Sequence, residues 1–350
     1  MTHREGKLRA APDADEEADP PEPGQPGLRL GVIGCAGIAW RRTLPAAVAE
    51  PSVRLVAVAS RDGDKAARFA REFGCSAVHG YEELLRRDDI EAVYIPLPVA
   101  LHAEWIEAAL RAGKHVLAEK PLAPDAATAA RLVDLAHASR LLLVENYMFT
   151  HHSQHRAVRR LLTEGVVGEP RSFAAAFTIP RLPPHDIRNR RELGGGALLD
   201  VAGYPIRAAE LFLGDGLEVV GSVLRHDPDT VVDTGGAALL RSPSGVIAQL
   251  TFGIDDAYHS SYEIRGSTGR LSLGRAFTPP PDHRPLVRVE GPDGARDHLL
   301  AADDQFARVL GAFARGVRAG TGELPSGTGH RVADIVPHAR LVDAVRRSAR

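Results

Sequence analysis

Two short segments of this sequence carry side chains that could move a proton to or from a carbonyl oxygen. One is Glu119-Lys120-Pro121, which ends an apolar run that begins at His115. The other contains Asp200 and Tyr204, which are four residues apart and share one face if the segment is helical. A lysine ammonium and a tyrosine hydroxyl that meet at one ketone oxygen would form a proton-donating pair for reduction by hydride.

The position of Lys120 favours a ligand site. It follows a predicted core strand, and ligands of parallel α/β sheets bind above the carboxyl ends of the strands. Partial burial there would lower the pKa of a lysine, which, unlike arginine, can lose its proton at working pH. The glycines 194–196 are expected to leave the start of the second helix open to close approach. The spacing alone leaves two alternatives, a surface cation for Lys120 and a packing role for Tyr204.

A dinucleotide site is predicted at the end of the first strand. The segment Gly31-Val-Ile-Gly34-Cys-Ala36-Gly37-Ile38-Ala39 follows a short apolar strand and opens a helix, where backbone N–H groups can hold a pyrophosphate. Ala36 and Ala39 stand where the pattern has its second and third glycines, so an ordinary strand–turn–helix is the alternative. The surrounding alternation of strands and helices favours the dinucleotide site.

The end of the second predicted strand indicates which dinucleotide is bound. NAD enzymes usually place a carboxylate there to bind the ribose 2′-hydroxyl, whereas this chain has Ser60-Arg61. A hydroxyl and a guanidinium can bind a 2′-phosphate with charge assistance, and Arg41 and Arg42 in the first helix are further candidates. NADP(H) is therefore predicted over NAD(H), with a solvated arginine at the strand end as the alternative.

The elements that position these groups follow from the order of the apolar runs. Short apolar strands alternate with helices up to about residue 149, which predicts a parallel sheet. The predicted strands there are 28–33, 53–59, 92–95, 115–118 and 141–144. Several strand-like segments between residues 218 and 273 then predict a second sheet. The predicted fold is α/β, an N-terminal Rossmann domain with a doubly wound parallel sheet plus a C-terminal α+β domain with a mainly antiparallel open sheet.

Changes in composition set the predicted domain boundaries. Residues 1–27, rich in proline and acidic residues, are predicted to be a disordered tail. Residues 28–149 form the dinucleotide-binding Rossmann domain, and residues 150–325 form a substrate-binding and oligomerisation domain. Residues 326–350 are predicted to be a C-terminal helix.

Charge and composition exclude several function classes. A net charge of −2 provides no broad basic surface, so neither nucleic acid nor a membrane is an expected partner. Membrane spans and a signal peptide are not predicted, and two cysteines indicate the cytoplasm. His151, His152 and His155 invite a metal site, but no carboxylate or cysteine stands near them in the sequence, so no metal is predicted.

From Leu28 onward the sequence resembles the glucose-fructose oxidoreductase / inositol dehydrogenase / rhizopine catabolism family. The matching segments are Gly31–Gly34, Ala92–Pro98 with Leu101-His102, Ala112–Pro121 and Gly195–Asp200. Within that family it is similar to sugar 3-ketoreductases of deoxysugar biosynthesis. The segments that carry this likeness are Cys35–Arg42, Glu145–Phe149, Leu182–Pro184 with Asp186–Arg188, and Asp200–Pro205. Polyol and glucose dehydrogenases of the family typically have histidine where Tyr204 stands.

The resemblance implies an NADPH-dependent enzyme that reduces the C3 ketone of a nucleotide-linked (dTDP) 3,4-diketo-2,6-dideoxyhexose. It implies that Lys120 and Tyr204 are the catalytic pair, and that the Lys120–Pro121 bond is cis. Asp200, on the same helix face as Tyr204, is expected to position the substrate or the lysine. The C-terminal sheet is expected to form a homo-oligomer, a dimer or a tetramer. The alternatives are an NADP-dependent sugar or dihydrodiol dehydrogenase and a non-catalytic NADP(H) sensor.

The pattern and the resemblance together predict two sets of contacts. The expected cofactor contacts are Gly34, Ala36, Gly37, Ile38, Ala39, Arg41, Arg42, Ser60, Arg61, Leu97, Pro98, His102, Glu119 and Lys120. The expected substrate contacts are Lys120, Tyr147, Arg188, Asp200 and Tyr204.

Overall fold

The computed structural model describes residues 26–325, 329 and 331–349, so the predicted tail up to residue 25 lies outside the described residues. The described chain divides into two compact units. The first, called the Rossmann unit, contains the residues up to His151 together with Asp304–Ala339. The second, called the sheet unit, contains His152–Asp303 and the residues from Arg340. This division differs from the predicted consecutive domains, because the chain returns to the Rossmann unit after residue 303.

The Rossmann unit has six parallel strands in the order β3-β2-β1-β4-β5-β6. They are β1 (Leu28–Ile33), β2 (Val53–Ser60), β3 (Ser76–His79), β4 (Ala92–Ile95), β5 (His115–Glu119) and β6 (Leu143–Asn146). This strand order is that of the Rossmann fold, and it confirms the predicted doubly wound sheet. Every residue of β4 and of β6 is buried, and β4 has no charged residue, as expected for a strand that is covered on both faces.

Helices cover this sheet, and the hydrophobic core lies between the sheet and the helices. They are α1 (Leu44–Ala49), α2 (Gly63–Phe73), α3 (Tyr81–Leu85), α4 (His102–Arg111), α5 (Ala126–Ala138) and α8 (Gln305–Ala319). A further helix, α9 (Ile335–Ser348), begins in this unit and ends in the other. It starts later than the predicted helix at 326–350, of which residues 326–328, 330 and 350 lie outside the description.

The sheet unit has one eight-stranded sheet in the order β14-β13-β12-β11-β7-β10-β9-β8. The strands are β7 (Pro170–Thr178), β8 (Glu218–His226), β9 (Asp233–Arg241), β10 (Ile247–Gly253), β11 (His259–Gly266), β12 (Arg270–Gly274), β13 (Leu286–Gly291) and β14 (Gly294–Leu299). All neighbours are antiparallel except β7 and β10. The mainly antiparallel second sheet is therefore confirmed.

Two helices pack on the buried face of this sheet, α6 (Ser153–Thr163) and α7 (Gly203–Leu213). A π-helical turn, Leu198–Ala202, directly precedes α7 and contains Asp200. A second π-helical turn, Ala39–Thr43, precedes α1 in the Rossmann unit. Such wide turns are frequent at functional sites, and both here follow glycine-rich loops.

Candidate active site

The glycine-rich loop after β1 is shaped so that only glycine fits at Gly34. Its φ of +111° lies in the left-handed region, and a Cβ there would be 2.6 Å from Leu97 Cδ2. At Gly37 an added Cβ would be 2.8 Å from Arg41 Nη1, so the guanidinium lies over the loop. The loop thus forms a close-packed cradle, with Leu97 and Arg41 beside it, of the kind that admits a pyrophosphate.

A cavity of about 460 Å³ opens beside this loop. It is lined by Cys35, Gly37, Trp40, Arg41, Lys65, Arg68 and Phe69. The guanidinium carbon of Arg68 lies 5.6 Å from the centre of the Trp40 ring. Three cationic side chains around one cavity suit a phosphate group, and an aromatic wall suits a purine base.

Lys65 and Arg68 are site residues that the sequence reasoning missed. They stand three residues apart at the start of α2, so they share a face of that helix. The available signal was the predicted helix that follows Ser60-Arg61, combined with the scarcity of lysine in this sequence. Asp62, next to them, is turned away into the helix cap, where its Oδ1 accepts hydrogen bonds from the N–H groups of Asp64 and Lys65.

Ser60 ends β2 and is 6% exposed. Its Oγ accepts a hydrogen bond of 3.1 Å from the Asp62 N–H, which leaves the hydroxyl hydrogen available as a donor. Ser60→Asp is expected to reverse the cofactor preference from NADP(H) to NAD(H), because a carboxylate repels a 2′-phosphate and accepts a hydrogen bond from a 2′-hydroxyl. Calorimetric titration of both proteins with both cofactors measures this. Equal binding of NADPH and NADH by the wild-type protein contradicts the prediction.

Matched arginine variants of α2 test the cavity itself. Arg68→Ser is expected to weaken NADPH about 10- to 100-fold, since a hydrogen bond between charged groups contributes roughly 1.5–3 kcal/mol. Arg71→Ser removes the same charge from the same helix at an exposed position outside the cavity lining and is the control. The affinity for NADH should be the same in the wild type, Arg68→Ser and Arg71→Ser.

Glu119 is buried in a network of hydrogen bonds at the end of β5. Its Oε1 accepts from the Tyr94 hydroxyl and from Asn146 Nδ2, both at 2.7 Å. The Tyr94 hydroxyl in turn accepts from Thr43 Oγ1 at 2.9 Å. Burial raises the pKa of Glu119, and the charge of Lys120 and these donors act against that rise. The network fixes the strand end from which Lys120 follows, and the Lys120–Pro121 bond is cis, as the resemblance implied.

His102 and Tyr147, two predicted contact residues, are buried inside the Rossmann unit. His102 is 1% exposed, with Nδ1 at 2.9 Å from the Pro121 carbonyl oxygen and Nε2 at 2.8 Å from that of Leu97. Burial lowers its pKa. The ring therefore connects the loop after β4 to the turn after Lys120, and each of its nitrogens faces a backbone carbonyl oxygen. Tyr147 is 1% exposed and its hydroxyl lies 3.1 Å from His338 Nε2, so the structure gives it a packing position.

In the sheet unit, Arg188 and Asp200 are brought together. The Arg188 guanidinium donates through Nε to Asp200 Oδ2, and its Nη1 lies 3.3 Å from Asp186 Oδ1. The charge of Asp200 raises the pKa of Arg188. The arginine thus holds the Asp200 carboxylate in the helical turn that precedes α7.

The glycines before Asp200 serve a different purpose from the one expected. A Cβ at Gly195 would lie 2.4 Å from the Arg188 carbonyl oxygen, and one at Gly196 would lie 2.3 Å from Asp233 Oδ1. The chain's own backbone and the Asp233 carboxylate thus occupy the space that the glycines leave. Asp233 Oδ2 also accepts from the Leu198 N–H and caps the helical segment from β9. The start of this helix is closed by protein groups rather than open to a ligand.

Tyr204 lies in the first turn of α7 and is 4% exposed. Its ring is edge-on to Phe177, with centroids 4.8 Å apart, and 5.9 Å from the ring of Phe277. Aromatic packing on two sides fixes the ring and therefore the direction of its hydroxyl. Lys120 belongs to the Rossmann unit and Tyr204 to the sheet unit.

Two of the three neighbouring histidines, His152 and His155, have hydrogen-bond partners in the protein. His155 Nδ1 faces the Tyr262 hydroxyl at 3.0 Å, and burial lowers the pKa of His155 to about 3. His152 Nδ1 accepts from the Gln154 N–H and caps α6. Among the described residues, no group of three potential metal ligands comes together. Each helix within the described residues is too short or too polar to cross a membrane.

Comparison with known proteins identifies relatives of both parts of the chain. Residues 28–147 match the model of an oxidoreductase family with an NAD-binding Rossmann fold, and residues 155–272 match the GFO/IDH/MocA C-terminal domain. The chain is 57% identical to a dTDP-3,4-didehydro-2,6-dideoxy-alpha-D-glucose 3-reductase of Actinomadura kijaniata, over 92% of this chain and 96% of that protein. It is 53% identical to the reductase of the same name from Streptomyces violaceoruber, over 92% and 95%.

A solved structure agrees with the fold. The crystal structure of KijD10, a 3-ketoreductase from Actinomadura kijaniata in complex with NADP and TDP-benzene, superposes with a TM-score of 0.89 at 56% identity. The match covers 93% of this chain and 98% of that one.

Proposed function

This chain belongs to the GFO/IDH/MocA oxidoreductase family, and from that membership we propose that it is an NADPH-dependent sugar 3-ketoreductase. It reduces the C3 ketone of a dTDP-linked 3,4-diketo-2,6-dideoxyhexose to the corresponding 4-keto-2,6-dideoxyhexose. The observation that carries this is the 57% identity, over 92% of the chain, to a reductase with that substrate in its name. The basic cavity beside the glycine-rich loop independently supports NADP(H) as the cofactor.

The chemistry assigned to the chain is the donation of one proton to an oxygen that becomes an alkoxide. Bound NADPH supplies the hydride to C3. Tyr204 donates its hydroxyl proton to the C3 oxygen, while the Lys120 ammonium stabilises the negative charge that develops there. Asp200, held by Arg188, fixes the start of the helical segment that carries Tyr204. The ketone gains one hydride and one proton, and the product is the alcohol.

The remaining predicted cofactor contacts are included in this proposal because of where they lie in the fold. Ile38, Ala39 and Arg42 lie in the helical segment after the glycine-rich loop, and Ala36 lies in the loop itself. Arg61 and Pro98 follow the ends of β2 and β4, the carboxyl edge of the sheet at which a dinucleotide binds. The pathway is proposed to be the deoxysugar biosynthesis of an antibiotic, in the cytoplasm.

A second copy of this chain is the proposed partner, in a dimer or tetramer formed through the open face of the sheet unit. Val220, Val223 and Leu239 are exposed on β8 and β9. Val223 pairs with Ala237, and Gly221 pairs with Leu239, so apolar residues continue across the two strands on one face. Contiguous apolar residues on a sheet favour burial against another sheet. Sedimentation velocity of the purified chain tests the assembly.

The function is tested by adding freshly prepared dTDP-3,4-diketo-2,6-dideoxyglucose to enzyme and NADPH and following absorbance at the nicotinamide band. Stoichiometric NADPH consumption, with the 4-keto-2,6-dideoxy product identified by mass spectrometry, is the expected result. Free sugars and dihydrodiols with NADP⁺ are the comparison substrates. Turnover of those alone would overturn the proposal in favour of a dehydrogenase, and no turnover of any of them would favour a sensor.

A further inference from the structure

We propose that Tyr94 is a positioning residue for the reduction, because its hydroxyl holds Glu119 as a carboxylate and that carboxylate holds the Lys120 ammonium. This inference rests on the proposed function and adds to its site a side chain that the sequence analysis did not single out. Tyr94 is 0% exposed. It therefore acts through Glu119, to which its hydroxyl donates a hydrogen bond of 2.7 Å, rather than by contact with the substrate.

The polar side chains around Glu119 lie on one face of the parallel sheet. Tyr94 pairs with Leu117 in the register of β4 and β5, and Glu119 pairs with Asn146 in the register of β5 and β6. Leu117 and Glu119 are two residues apart in β5, so their side chains point to the same face. The ends of three adjacent strands thus bring a phenol, a carboxylate and an amide together on rigid backbone.

The directions of the hydrogen bonds indicate the charge state of Glu119. The Tyr94 hydroxyl accepts a hydrogen bond of 2.9 Å from Thr43 Oγ1, and its own hydrogen is directed at Glu119 Oε1. Asn146 Nδ2 donates to the same carboxyl oxygen at 2.7 Å. Two donors at this distance from one oxygen match charge-assisted hydrogen bonds to a carboxylate.

The Asn146 amide supports the same charge state. Its Oδ1 is buried and has no hydrogen-bond partner among the residues that the structure describes. A protonated Glu119 would have a hydrogen to donate, and a rotated amide would accept it through Oδ1. The amide instead presents Nδ2 and leaves its own acceptor unpaired. This arrangement is costly beside a neutral carboxyl group and favourable beside a carboxylate.

Burial opposes the carboxylate form of Glu119. The residue is 9% exposed, and desolvation raises its pKa. The Tyr94 hydrogen bond, the charge of Lys120 and the hydrogen bond from Asn146 lower that pKa. The attraction between Glu119 and Lys120 is mutual, so the carboxylate also holds the ammonium group at the end of β5. Protonation of Glu119 would weaken this restraint on the lysine.

The same chain of donors begins beside the cofactor cavity. Thr43 is the last residue of the π-helical turn Ala39–Thr43, which also contains the cavity-lining residues Trp40 and Arg41. Its side chain is buried and donates to Tyr94. The turn that forms one wall of the cavity is therefore linked, through the Tyr94 hydroxyl, to the strand end that carries Lys120.

Tyr94→Phe is expected to move the acidic limb of the kcat–pH profile upward by about one pH unit, because the charged form of Glu119 loses a donor. Activity that needs the carboxylate is present above the pKa of Glu119 and is lost as the pH falls through it, and loss of a donor raises that pKa. Thr43→Val should move the limb in the same direction by less, since it only weakens the Tyr94 donor. Thr43→Ser keeps the hydroxyl and should retain the wild-type profile.

Two further variants separate this role from a loss of stability. Tyr262→Phe removes a hydroxyl that is buried in the sheet unit and faces His155, so it should leave the acidic limb in place. The double variant Tyr94→Phe/Glu119→Gln should have the profile of Glu119→Gln alone, because Tyr94 acts through Glu119. An unshifted limb in Tyr94→Phe overturns the proposal. An equal shift in Tyr262→Phe, or additive losses in the double variant, would also overturn it.

A titration that needs no turnover keeps this inference distinguishable from the proposed function. In protein saturated with NADP⁺ and labelled with ¹³C at the glutamate side-chain carboxyl, the Glu119 signal is assigned by its loss in Glu119→Gln. This signal should titrate at higher pH in Tyr94→Phe than in the wild type. If it does so but the wild type does not reduce the diketo sugar nucleotide, the link from Tyr94 to Glu119 stands and the function is wrong. If the wild type reduces the sugar nucleotide but the signal titrates alike in both proteins, the function stands and the role of Tyr94 is wrong.

Discussion

Lys120→Ala is expected to lower kcat by 10³-fold or more, with NADPH affinity and melting temperature close to those of the wild type. The variant removes the cation that stabilises the developing alkoxide, a contribution of about 10²–10³-fold in comparable sites. It also removes the only alternative proton source assigned to the site. Single-turnover reduction of the diketo sugar nucleotide by variant and wild-type enzyme measures the loss.

Lys120→Arg separates the two roles of the lysine. Arginine keeps the positive charge but does not release its proton at working pH. Activity well above that of the alanine variant is expected if charge stabilisation is the main contribution. Lys120→Ala with near-normal kcat would show that the catalytic site is misplaced.

Tyr204→Phe is expected to lower kcat by about 10²–10⁴-fold, the usual contribution of a general acid. The phenyl ring preserves the edge-on contact with Phe177 and the packing on Phe277, so the sheet unit should fold normally. KM for the sugar nucleotide should change little, because the lost proton transfer belongs to the transition state. Pre-steady-state kinetics at saturating substrate gives the comparison.

A buried tyrosine in the same unit provides the control for that substitution. Tyr262 is 1% exposed and its hydroxyl lies 3.0 Å from His155 Nδ1. Tyr262→Phe should lower the melting temperature and leave kcat nearly unchanged. If Tyr204→Phe retains near-full kcat while Lys120→Ala is inactive, the lysine is the sole acid and the assigned division of roles is wrong.

The strands that could be predicted from the sequence are those marked by a clear run of apolar residues. β1 and β4 were predicted with the bounds that they have, because nearly all of their residues are buried and apolar, as is usual for strands of a parallel sheet. β3, β13 and β14 were missed. The first four of the six residues of β14 are all exposed, and the fifth, His298, is half-buried. No alternation of apolar and polar residues therefore marks β14 as a strand.

The candidate site was predictable where a local motif fixes the backbone, and less so where distant residues meet. Gly34 follows from the strand–turn–helix pattern, and its positive φ agrees with that. The capping of Leu198 by Asp233 joins residues 35 positions apart, and nothing in either local sequence indicates the contact. The same limit applies to His102, whose two carbonyl partners lie in different loops.

The return of α8 to the Rossmann unit has a consequence for recombining this protein with its relatives. Phe306, Val309, Leu310 and Phe313 of α8 are buried, and the helix contacts α1, β2 and the turn Met148–His151. A fragment that ends at His151 would leave the matching apolar surfaces uncovered and would be expected to aggregate. Chimaeras that exchange the whole Rossmann unit therefore need three crossover points, near residues 151, 304 and 340, so that α8 stays with the sheet on which it packs.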